Sequence, residues 1–399
     1  MVNNCDLVRR VRSMKFNIWN DYEYMDLPDV LSFIVDNRGK TVPTDDKGTH
    51  ILIATNCIRN ENLYPSYEKV RFLNEETYQN WFRAHPIPGD IIFVNKGTPG
   101  RVCLVPDPVD FCIAQDMMAF RANPDIVYNK YLFAVLRSAR IQNQISATTV
   151  GDVIPHFKKQ HLHEIKIPIP PMEIQKLIGD YYFMFCEKIV VNNKINRNLL
   201  EQAQVLYKSW FVDLEPFDGE RPADWKDGIV NDLASEVICG KTPSTKKEEY
   251  YGDDIPFVTI PDMHGCVYTV HTERSLSKLG AESQSKKMLP KDSICVSCIG
   301  TAGLVTLLSV PSQTNQQINS IIPKANYSPY YIYLLMSTMK ETINKLGQAG
   351  STIVNLNKTE FGKMEVLIPS IKAMRDFEIT EPISMQFCQI KLRIKSFLA

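Results

Sequence analysis

Few residues in this sequence have the types and spacing that catalysis or metal binding requires. Gly240-Lys241-Thr242 has the order that closes a phosphate-binding loop, but that motif needs a glycine five residues earlier, where Ser235 stands. Cys295 and Cys298 form one Cys-x-x-Cys pair, and neither a second cysteine pair nor a suitable histidine pair follows it. The sequence therefore predicts no nucleotide-binding loop here and places both cysteines in a β-rich core.

The remaining reactive side chains show no catalytic arrangement either. His156, His161 and His163 lie close together in the sequence, but no acidic cluster accompanies them, which favours a surface position. We find no glycine motif of methyltransferases, no Asn-Pro-Pro-Tyr type tetrapeptide and no clear cluster of nuclease carboxylates. We therefore expect a noncatalytic protein that binds no metal and no cofactor itself.

The composition fits a folded chain of two domains with balanced charge. Its 399 residues are long for one domain, and 44% of them are hydrophobic, which is enough to form packed cores. Lys and Arg together number 45, as do Asp and Glu, which argues against nucleic-acid binding through bulk positive charge. The balance still permits a DNA reader with its basic residues on one face, helped by a partner that supplies phosphate affinity.

Cysteine usage and hydropathy predict a soluble cytoplasmic protein. The ten cysteines are scattered and mostly lie in apolar runs such as Val102-Cys103-Leu104, which is typical of reduced, buried thiols. The first 21 residues are polar and lack the apolar core of a signal peptide. No stretch approaches the roughly 20 apolar residues of a membrane span.

The chain repeats itself with a period of about 200 residues, far longer than the repeats of solenoid proteins. Five segments recur in the same order: 88–94 with 290–296, 97–100 with 300–303, 114–116 with 315–317, 131–136 with 331–336, and 165–170 with 364–369. Within each copy, short β-rich runs end at Gly-rich turns, and one segment that starts at Tyr131 or Tyr331 has helical spacing. Two copies of one α+β domain, mostly β with short helices, are therefore predicted.

A long helix is predicted between the two copies, from Met172 to about Lys208. Its residues include no proline, and apolar or amide side chains recur every seven residues, with a second row four residues after the first: Ile178, Phe185, Asn192, Leu199 and Leu206, then Tyr182, Ile189, Asn196 and Ala203. This is the seam of a coiled coil over about four heptads, on a helix about 55 Å long. Asn192 and Asn196 on the seam would fix register and partner; the alternative is that both face solvent at a break in the seam.

A shorter helix of the same kind is predicted after the second copy. Ile383, Ile390 and Phe397 are seven apart, and Pro382 suits a first helical turn. This helix is about half as long as the first, so the two can pair antiparallel only in part.

Several runs resemble the specificity subunits of type I restriction-modification systems, the HsdS-like proteins. The central region carries the resemblance: IPIPPMEIQK at 167–176, Lys188-Ile189, NKIN at 193–196, LEQAQVLYKSWFVD at 200–213 and EPF at 215–217. PADW at 222–225 and GKTP at 240–243 resemble the start of a second target-recognition domain, and GKTVP at 39–43 is a looser counterpart in the first. The resemblance covers essentially the whole chain.

The resemblance implies a mechanism for the whole complex. Each target-recognition domain reads one half of a bipartite DNA site, and the two long helices pack antiparallel as a spacer. Two modification subunits, which bind S-adenosylmethionine and methylate adenine N6, dock on the helices and domains. Motor-nuclease subunits that use ATP and Mg complete the complex. The expected division is a first domain at 1–170, a central helix at 171–212, a second domain at 213–370 and a distal helix at 371–399.

Sequence readout requires side chains that reach base edges, and phosphate contacts set position. Matched turns and basic positions of the two copies give the candidates for DNA binding: Arg38, Lys40, Lys96, Thr98, Gln115, Lys158, Lys159, Lys241, Lys246, Lys247, Ser297, Thr301, Gln316 and Gln317. The candidates for the helix seam and partner interface are Ile178, Phe185, Ile189, Asn192, Asn196, Leu199, Leu206, Ile383, Ile390 and Phe397.

Two other functions remain open from the residues alone. The first is a protein-interaction scaffold that carries repeated domains on a coiled coil and binds no nucleic acid. The second is the DNA-reading subunit of another restriction class. Salt-dependent DNA binding with the partner present excludes the scaffold, and the position of cleavage relative to the site distinguishes the two restriction classes.

Overall fold

The computed structural model describes residues 18–37, 41–149, 151, 155–348 and 354–380. These residues form two compact units, the first extending to Val191 and the second starting at Asn192. Each unit is described by itself.

The first unit contains an antiparallel four-stranded sheet, a mixed three-stranded sheet, a pair of strands and three short helices before the long helix. Its strands are β1 (Tyr24–Asp26), β2 (Leu31–Val35), β3 (His50–Ile53), β4 (Arg71–Leu73), β5 (Ile91–Val94), β6 (Val102–Leu104), β7 (Phe111–Ile113), β8 (Met117–Ala122) and β9 (Lys166–Pro168). Its helices are α1 (Glu75–Asn80), α2 (Asn129–Leu136) and α3 (Ala139–Thr148). One sheet has the order β2-β8-β5-β6, a second the order β4-β3-β7, and β1 pairs with β9.

The core of the first unit lies between the four-stranded sheet and α2. Strand β5 is buried at all four positions, as expected for an inner strand that is covered on both faces. Its Ile91 and Phe93 pack with the consecutive buried residues 131–136 of α2 on one face, and its Ile92 and Val94 pack with a second cluster on the other.

The second unit repeats this order. Its strands are β10 (Lys226–Ile229), β11 (Ala234–Cys239), β12 (Tyr251–Val258), β13 (Tyr268–Thr269), β14 (Arg274–Leu276), β15 (Ile294–Ser297), β16 (Val305–Leu308), β17 (Gln313–Thr314), β18 (Ile318–Pro323) and β19 (Glu365–Ile368). Its sheets have the orders β11-β18-β15-β16-β13 and β14-β12-β17, and β10 pairs with β19. The predicted duplication of one α+β domain is confirmed.

The three short α-helices of the first unit, one after β4 and two after β8, recur in the second unit after β14 and after β18. The long helix α4 (Met172–Phe211) is followed in chain order by α5 (Val230–Leu233), α6 (Ile260–Met263), α7 (Lys278–Glu282), α8 (Pro329–Thr338), α9 (Lys340–Gly347), α10 (Lys358–Gly362) and α11 (Ile371–Thr380). Helix α8 starts as predicted at a turn, because Ser328 accepts a hydrogen bond from Tyr331 N and Pro329 occupies the first helical turn.

Matched hydrogen bonds show how closely the two copies agree. The buried Tyr131 donates its hydroxyl hydrogen to Pro168 O at 2.8 Å, and Tyr331 donates to Leu367 O at 2.7 Å. Burial raises the pKa of both phenols, so each remains a neutral donor. One tyrosine thus ties the main helix of each unit to its last strand.

In one segment, the sequence comparison is shifted by one residue. It pairs Asp90 with Asp292, whereas the strand pairing Ile91↔Leu104 matches Ile294↔Leu307 and so pairs Asp90 with Ser293. Asp292 instead takes the place of Gly89: the two have φ of 64° and 87°. Each aspartate lies two residues after a proline, which makes the two segments look aligned in the sequence. The left-handed backbone at Gly89 and Asp292 shows the correct alignment.

Helix α4 is continuous over 40 residues, close to the predicted 37, or about 60 Å at 1.5 Å per residue. Gly179 lies where the helix passes close to α2: a Cβ on this residue would lie 2.6 Å from Tyr131 N. Gln175, which is 1% exposed, accepts a hydrogen bond from Tyr128 N and donates to Ile126 O. The start of α4 is therefore part of the first unit.

The predicted heptad stripe is divided between different neighbours. Ile178 packs against the core of the first unit and Leu206 against that of the second, so these two positions serve the domains themselves. Between them, Tyr182 is buried in the core of the first unit and Ala203 in that of the second. The remaining stripe positions are half-buried: Phe185, Ile189, Asn192, Asn196 and Leu199. Ile383, Ile390 and Phe397 lie outside the described residues, so the antiparallel pairing stays a prediction.

The Cys-x-x-Cys pair of the second unit lies in the hydrophobic core. Cys295 and Cys298 are buried in the second unit, as expected for core residues. Among the described residues, no group of three or more His, Cys, Asp or Glu side chains could hold a metal ion. Nor does any helix of the described segments have the length and apolar composition needed to cross a membrane.

Candidate nucleic-acid interface

In the first unit, the turn that follows β5 is held by two other segments. Asn95 N donates to Asp116 O at 3.0 Å, Phe157 N donates to Asn95 O at 2.7 Å, and Gly97 N donates to Pro155 O at 2.8 Å. We call this arrangement, with the turn at 95–101, the support at 114–116 and the support at 155–158, the turn platform.

The second unit contains the same platform. Cys298 N donates to Gln317 O at 2.8 Å, Leu356 N to Cys298 O at 3.0 Å, and Gly300 N to Val354 O at 3.1 Å. Because the backbone bonds correspond one by one, the two copies build the same surface and vary the side chains on it.

The backbone bonds of the turn platform identify a different counterpart for Lys96 than the sequence predicts. Lys96 corresponds to Ile299, since both form the bridge to the last support, and not to Ser297. Ser297 is fully buried; its hydroxyl donates to Thr301 O at 2.7 Å and accepts from Leu304 N at 2.8 Å. We therefore remove Ser297 from the candidate DNA contacts.

The tips of the two turns have small residues with left-handed backbone. Gly97 and Gly300 have φ of 84° and 75°, a region that favours glycine. Thr301 is exposed and Thr98 is half-buried beside them. A large molecule can therefore approach the backbone here without meeting bulky side chains.

The basic candidates of the first unit have acidic neighbours. Lys159 Nζ lies 3.1 Å from Asp36 Oδ2, and Lys96 Nζ lies 3.9 Å from Asp116 Oδ1. Lys158 is exposed. Arg38 and Lys40 lie outside the described residues.

Gln115 is half-buried at the middle support of the first platform. Its Oε1 is enclosed and has no hydrogen-bond partner among the described residues. Its counterpart Gln316 is exposed. The glutamine at this position is therefore more accessible to a ligand in the second unit than in the first.

In the second unit, the loop after β11 joins the platform. Lys241 N donates to Thr314 O at 2.9 Å, and Gln284 Nε2 donates to Lys241 O at 2.9 Å. At Gly240, a Cβ would lie 2.1 Å from Asn315 O, so the loop can pack this closely only with glycine. The residues GKT, rejected above as a phosphate loop, serve this close packing.

A further lysine converges on the same loop, and the sequence reasoning missed it. Lys287 Nζ donates to Cys239 O at 2.9 Å. Lys247 lies with Nζ 4.8 Å from the centre of the Tyr250 ring and donates to its hydroxyl at 3.1 Å, and this hydrogen bond raises the pKa of Lys247. The Lys286-Lys287 pair was visible in the sequence, but nothing there linked it to Cys239, 48 residues earlier.

We refer to Lys241, Lys246, Lys247, Lys286 and Lys287 as the lysine cluster. Within the part of the chain that the structure describes, none of the five forms a salt bridge. The basic candidates Lys96 and Lys159 of the first unit have acidic neighbours, whereas the described part of the second unit leaves the lysine cluster without one at salt-bridge distance, which favours an anionic partner at this loop.

Comparison of this sequence with known proteins shows the family to which the chain belongs. The sequence profile of the type I restriction modification DNA specificity domain matches residues 20–201 and, a second time, residues 222–384. The chain belongs to this family. Each match starts close to the first strand of one unit and reaches the helix that follows it, so the duplicated unit is the duplicated specificity domain.

Named relatives agree with this assignment. The HindI specificity subunit of Haemophilus influenzae is 32% identical over 363 residues, which cover 73% of this chain and 79% of that protein. The MjaIX specificity subunit of Methanocaldococcus jannaschii is 32% identical over 166 residues, 40% of this chain and 38% of that one. The crystal structure of a type I S subunit from M. genitalium, 14% identical, shares the fold with a TM-score of 0.52 over 95% of this chain and 99% of its own.

Proposed function

We propose that this protein is the noncatalytic subunit that selects the DNA target of a type I restriction-modification complex. The observation that carries the proposal is the duplicated turn platform: one backbone framework occurs twice in a specificity-domain chain and presents different polar side chains each time. The first platform presents Lys96, Gln115 and Asp116; the second presents Gln316 and Gln317 at the middle support. Two readers with different side chains favour a target of two different half-sites.

The charges support a division of labour between this chain and its partners. With 45 basic and 45 acidic residues, the chain has no net charge to attract DNA. The lysine cluster supplies local phosphate contacts in the second unit, whereas Lys96 and Lys159 of the first unit have acidic neighbours. A partner that adds its own basic surface therefore provides a large share of the affinity.

The outer face of helix α4 offers a surface for such partners. Met184, Val191 and Val205 lie at multiples of seven residues, Ile195 follows Val191 by four, and all four side chains are at least 44% exposed. Exposed apolar side chains that share a helix face favour packing against another protein. We propose that two modification subunits, which bind S-adenosylmethionine and methylate adenine N6, dock here, and that ATP- and Mg-dependent motor-nuclease subunits complete a cytoplasmic complex.

The test is to map methylated adenines in cells that express the chain with its modification subunit. We expect a split motif, two short specified words separated by unspecified bases, which disappears when the modification subunit is expressed alone. Methylation that is random or follows one continuous word contradicts the proposal. Loss of DNA binding at all salt concentrations, with the partner bound, would instead support an interaction scaffold.

A further inference from the structure

The exposed amide of Gln316 is held in a defined orientation. Thr242 lies 74 residues earlier in the chain, and its hydroxyl donates a hydrogen bond to Gln316 Oε1 at 2.6 Å. A free glutamine side chain on a surface samples many rotamers, and fixing it before binding lowers the entropy cost of a specific contact. Gln316 is the one exposed residue of the middle support in the second platform.

The Thr242–Gln316 hydrogen bond is not needed to hold the loop in place. Lys241 N already donates to Thr314 O, and Lys241 O already accepts from Gln284 Nε2, both at 2.9 Å. These two bonds fix the backbone on either side of Lys241 Cα. The additional bond from the Thr242 side chain therefore serves to orient the amide of Gln316.

The fixed orientation selects among base edges. With Oε1 accepting from Thr242, one lone pair of Oε1 and both hydrogens of Nε2 remain for a ligand. Adenine presents an acceptor, N7, beside a donor, N6–H, in the major groove, which an amide matches with two hydrogen bonds. Guanine presents two acceptors, N7 and O6, and the second would face Oε1 and be repelled.

The neighbouring amide is less suited to this role. Gln317 Oε1 accepts from Asn315 Nδ2 at 3.0 Å, and a Cβ on Gly300 would lie 3.9 Å from Gln317 Nε2, so this amide lies beside the tip of the turn. The lysine cluster lies on the segments next to Gln316 and can position the DNA backbone, with Lys241 adjacent to Thr242 in the chain.

We infer that Gln316 reads an adenine in one half-site and that Thr242 is its positioning residue. This inference rests on the proposed function and assigns one position of the target to one side chain. It requires that a single A·T position depend on both residues while every other position of the target depends on neither.

The test uses the full chain bound to its modification subunit. Binding is measured on the natural target and on every single base-pair change of both half-sites, for the wild type, Gln316→Ala, Gln316→Glu, Thr242→Val and Thr242→Ser. Gln79→Ala, which removes an exposed glutamine that donates a hydrogen bond to Glu75 in the first unit, is the matched control.

We expect Gln316→Ala to lower affinity for the natural target by about ten- to a hundred-fold, as loss of a bidentate amide–adenine contact does, and to remove the preference at one A·T position. Thr242→Val should weaken the preference at the same position, and Thr242→Ser should restore it. Gln316→Glu should lose it, because a carboxylate faces N7 without a donor.

Two outcomes overturn the inference. One is a Gln316→Ala complex that keeps the full base preference at every position. The other is a uniform loss at all positions, which shows a structural role. In both cases the wild-type complex still reads a split target and the proposed function stands; if the wild type has no split target, the proposed function fails first.

Discussion

A buried ion pair is present in the first unit and absent from the second, and this difference allows a test of the repeat. Arg121 Nε donates to Asp90 Oδ1 at 3.0 Å, and Arg121 Nη2 donates to Asp90 Oδ2 at 2.9 Å. The Asp90 side chain is 2% exposed and that of Arg121 is 32% exposed. The hydrogen bonds that Arg121 donates to Asp90 raise the pKa of Arg121, so the guanidinium stays charged.

The corresponding residues of the second unit are Ser293 and Ile322, an uncharged pair. Ser293 is buried, and its hydroxyl donates to Pro290 O at 2.7 Å. The second copy thus shows that the same backbone tolerates a hydroxyl and an isoleucine in place of the two charges. The replacement pair can be moved into the first unit.

We predict opposite results for one substitution and for two. Arg121→Ile leaves the Asp90 carboxylate buried with one remaining donor, Ile87 N at 3.0 Å, and should destabilise the first unit by about 3 kcal/mol. Asp90→Ser combined with Arg121→Ile removes both charges and lets serine donate to the carbonyl of Ile87. The double variant should lie within about 1 kcal/mol of the wild type.

Hydrogen exchange of the full chain measures this with an internal control. Amides of β5 and β8 report the first unit, and amides of β15 and β18 report the second in the same sample. Protection should fall by about a hundred-fold in β5 and β8 for Arg121→Ile, and largely return in the double variant. Loss of as much protection in the double variant as in the single one, or an equal change in β15 and β18, contradicts this prediction.

Three further predictions concern packing, charge and thiol reactivity. Gly179→Ala should destabilise the first unit by about 1–3 kcal/mol in denaturant titrations, because the added Cβ lies 2.6 Å from Tyr131 N and this outweighs the usual helical gain of alanine over glycine. Lys287→Ala should reduce the slope of log affinity against log salt by about 1 in the partner-bound complex, since one phosphate contact is lost. Cys239, which is partly exposed, should be alkylated at pH 8 and protected by DNA, whereas Cys295 should stay unmodified by mass spectrometry because burial raises its pKa to about 12.

Control substitutions distinguish these specific effects from a general loss of folding or binding. Asn198→Ala, at an exposed position of the same helix, should leave stability unchanged or slightly increase it. Lys363→Ala removes a lysine that is paired with Glu360 and should leave the salt slope unchanged. A stabilised Gly179→Ala variant, or an unchanged slope for Lys287→Ala, contradicts the corresponding prediction. Alkylation of Cys295 in the folded chain does the same.

Part of the candidate nucleic-acid interface could be predicted from the sequence, because the turn platforms are built from segments that recur in both copies. The pairing of Gln115 with Gln316 follows from the order of the repeat and agrees with the platform bonds of Asp116 O and Gln317 O. The burial of Ser297 could not be predicted, because the sequence does not show that β15 extends to this residue and is covered on both faces there. Lys287 was missed because its link to Cys239 O depends on how two distant loops pack.

By itself, the sequence determined the duplicated α+β unit, the long helix after the first copy and the family, because repeated order and heptad spacing are local patterns that survive without knowledge of contacts. Only the tertiary structure decided which ends of the heptad stripe the domains use, that Asp90 matches Ser293, and that Thr242 meets Gln316. The physical reason is that these features depend on strand register and on close packing of glycines such as Gly240, which bring together residues far apart in the chain.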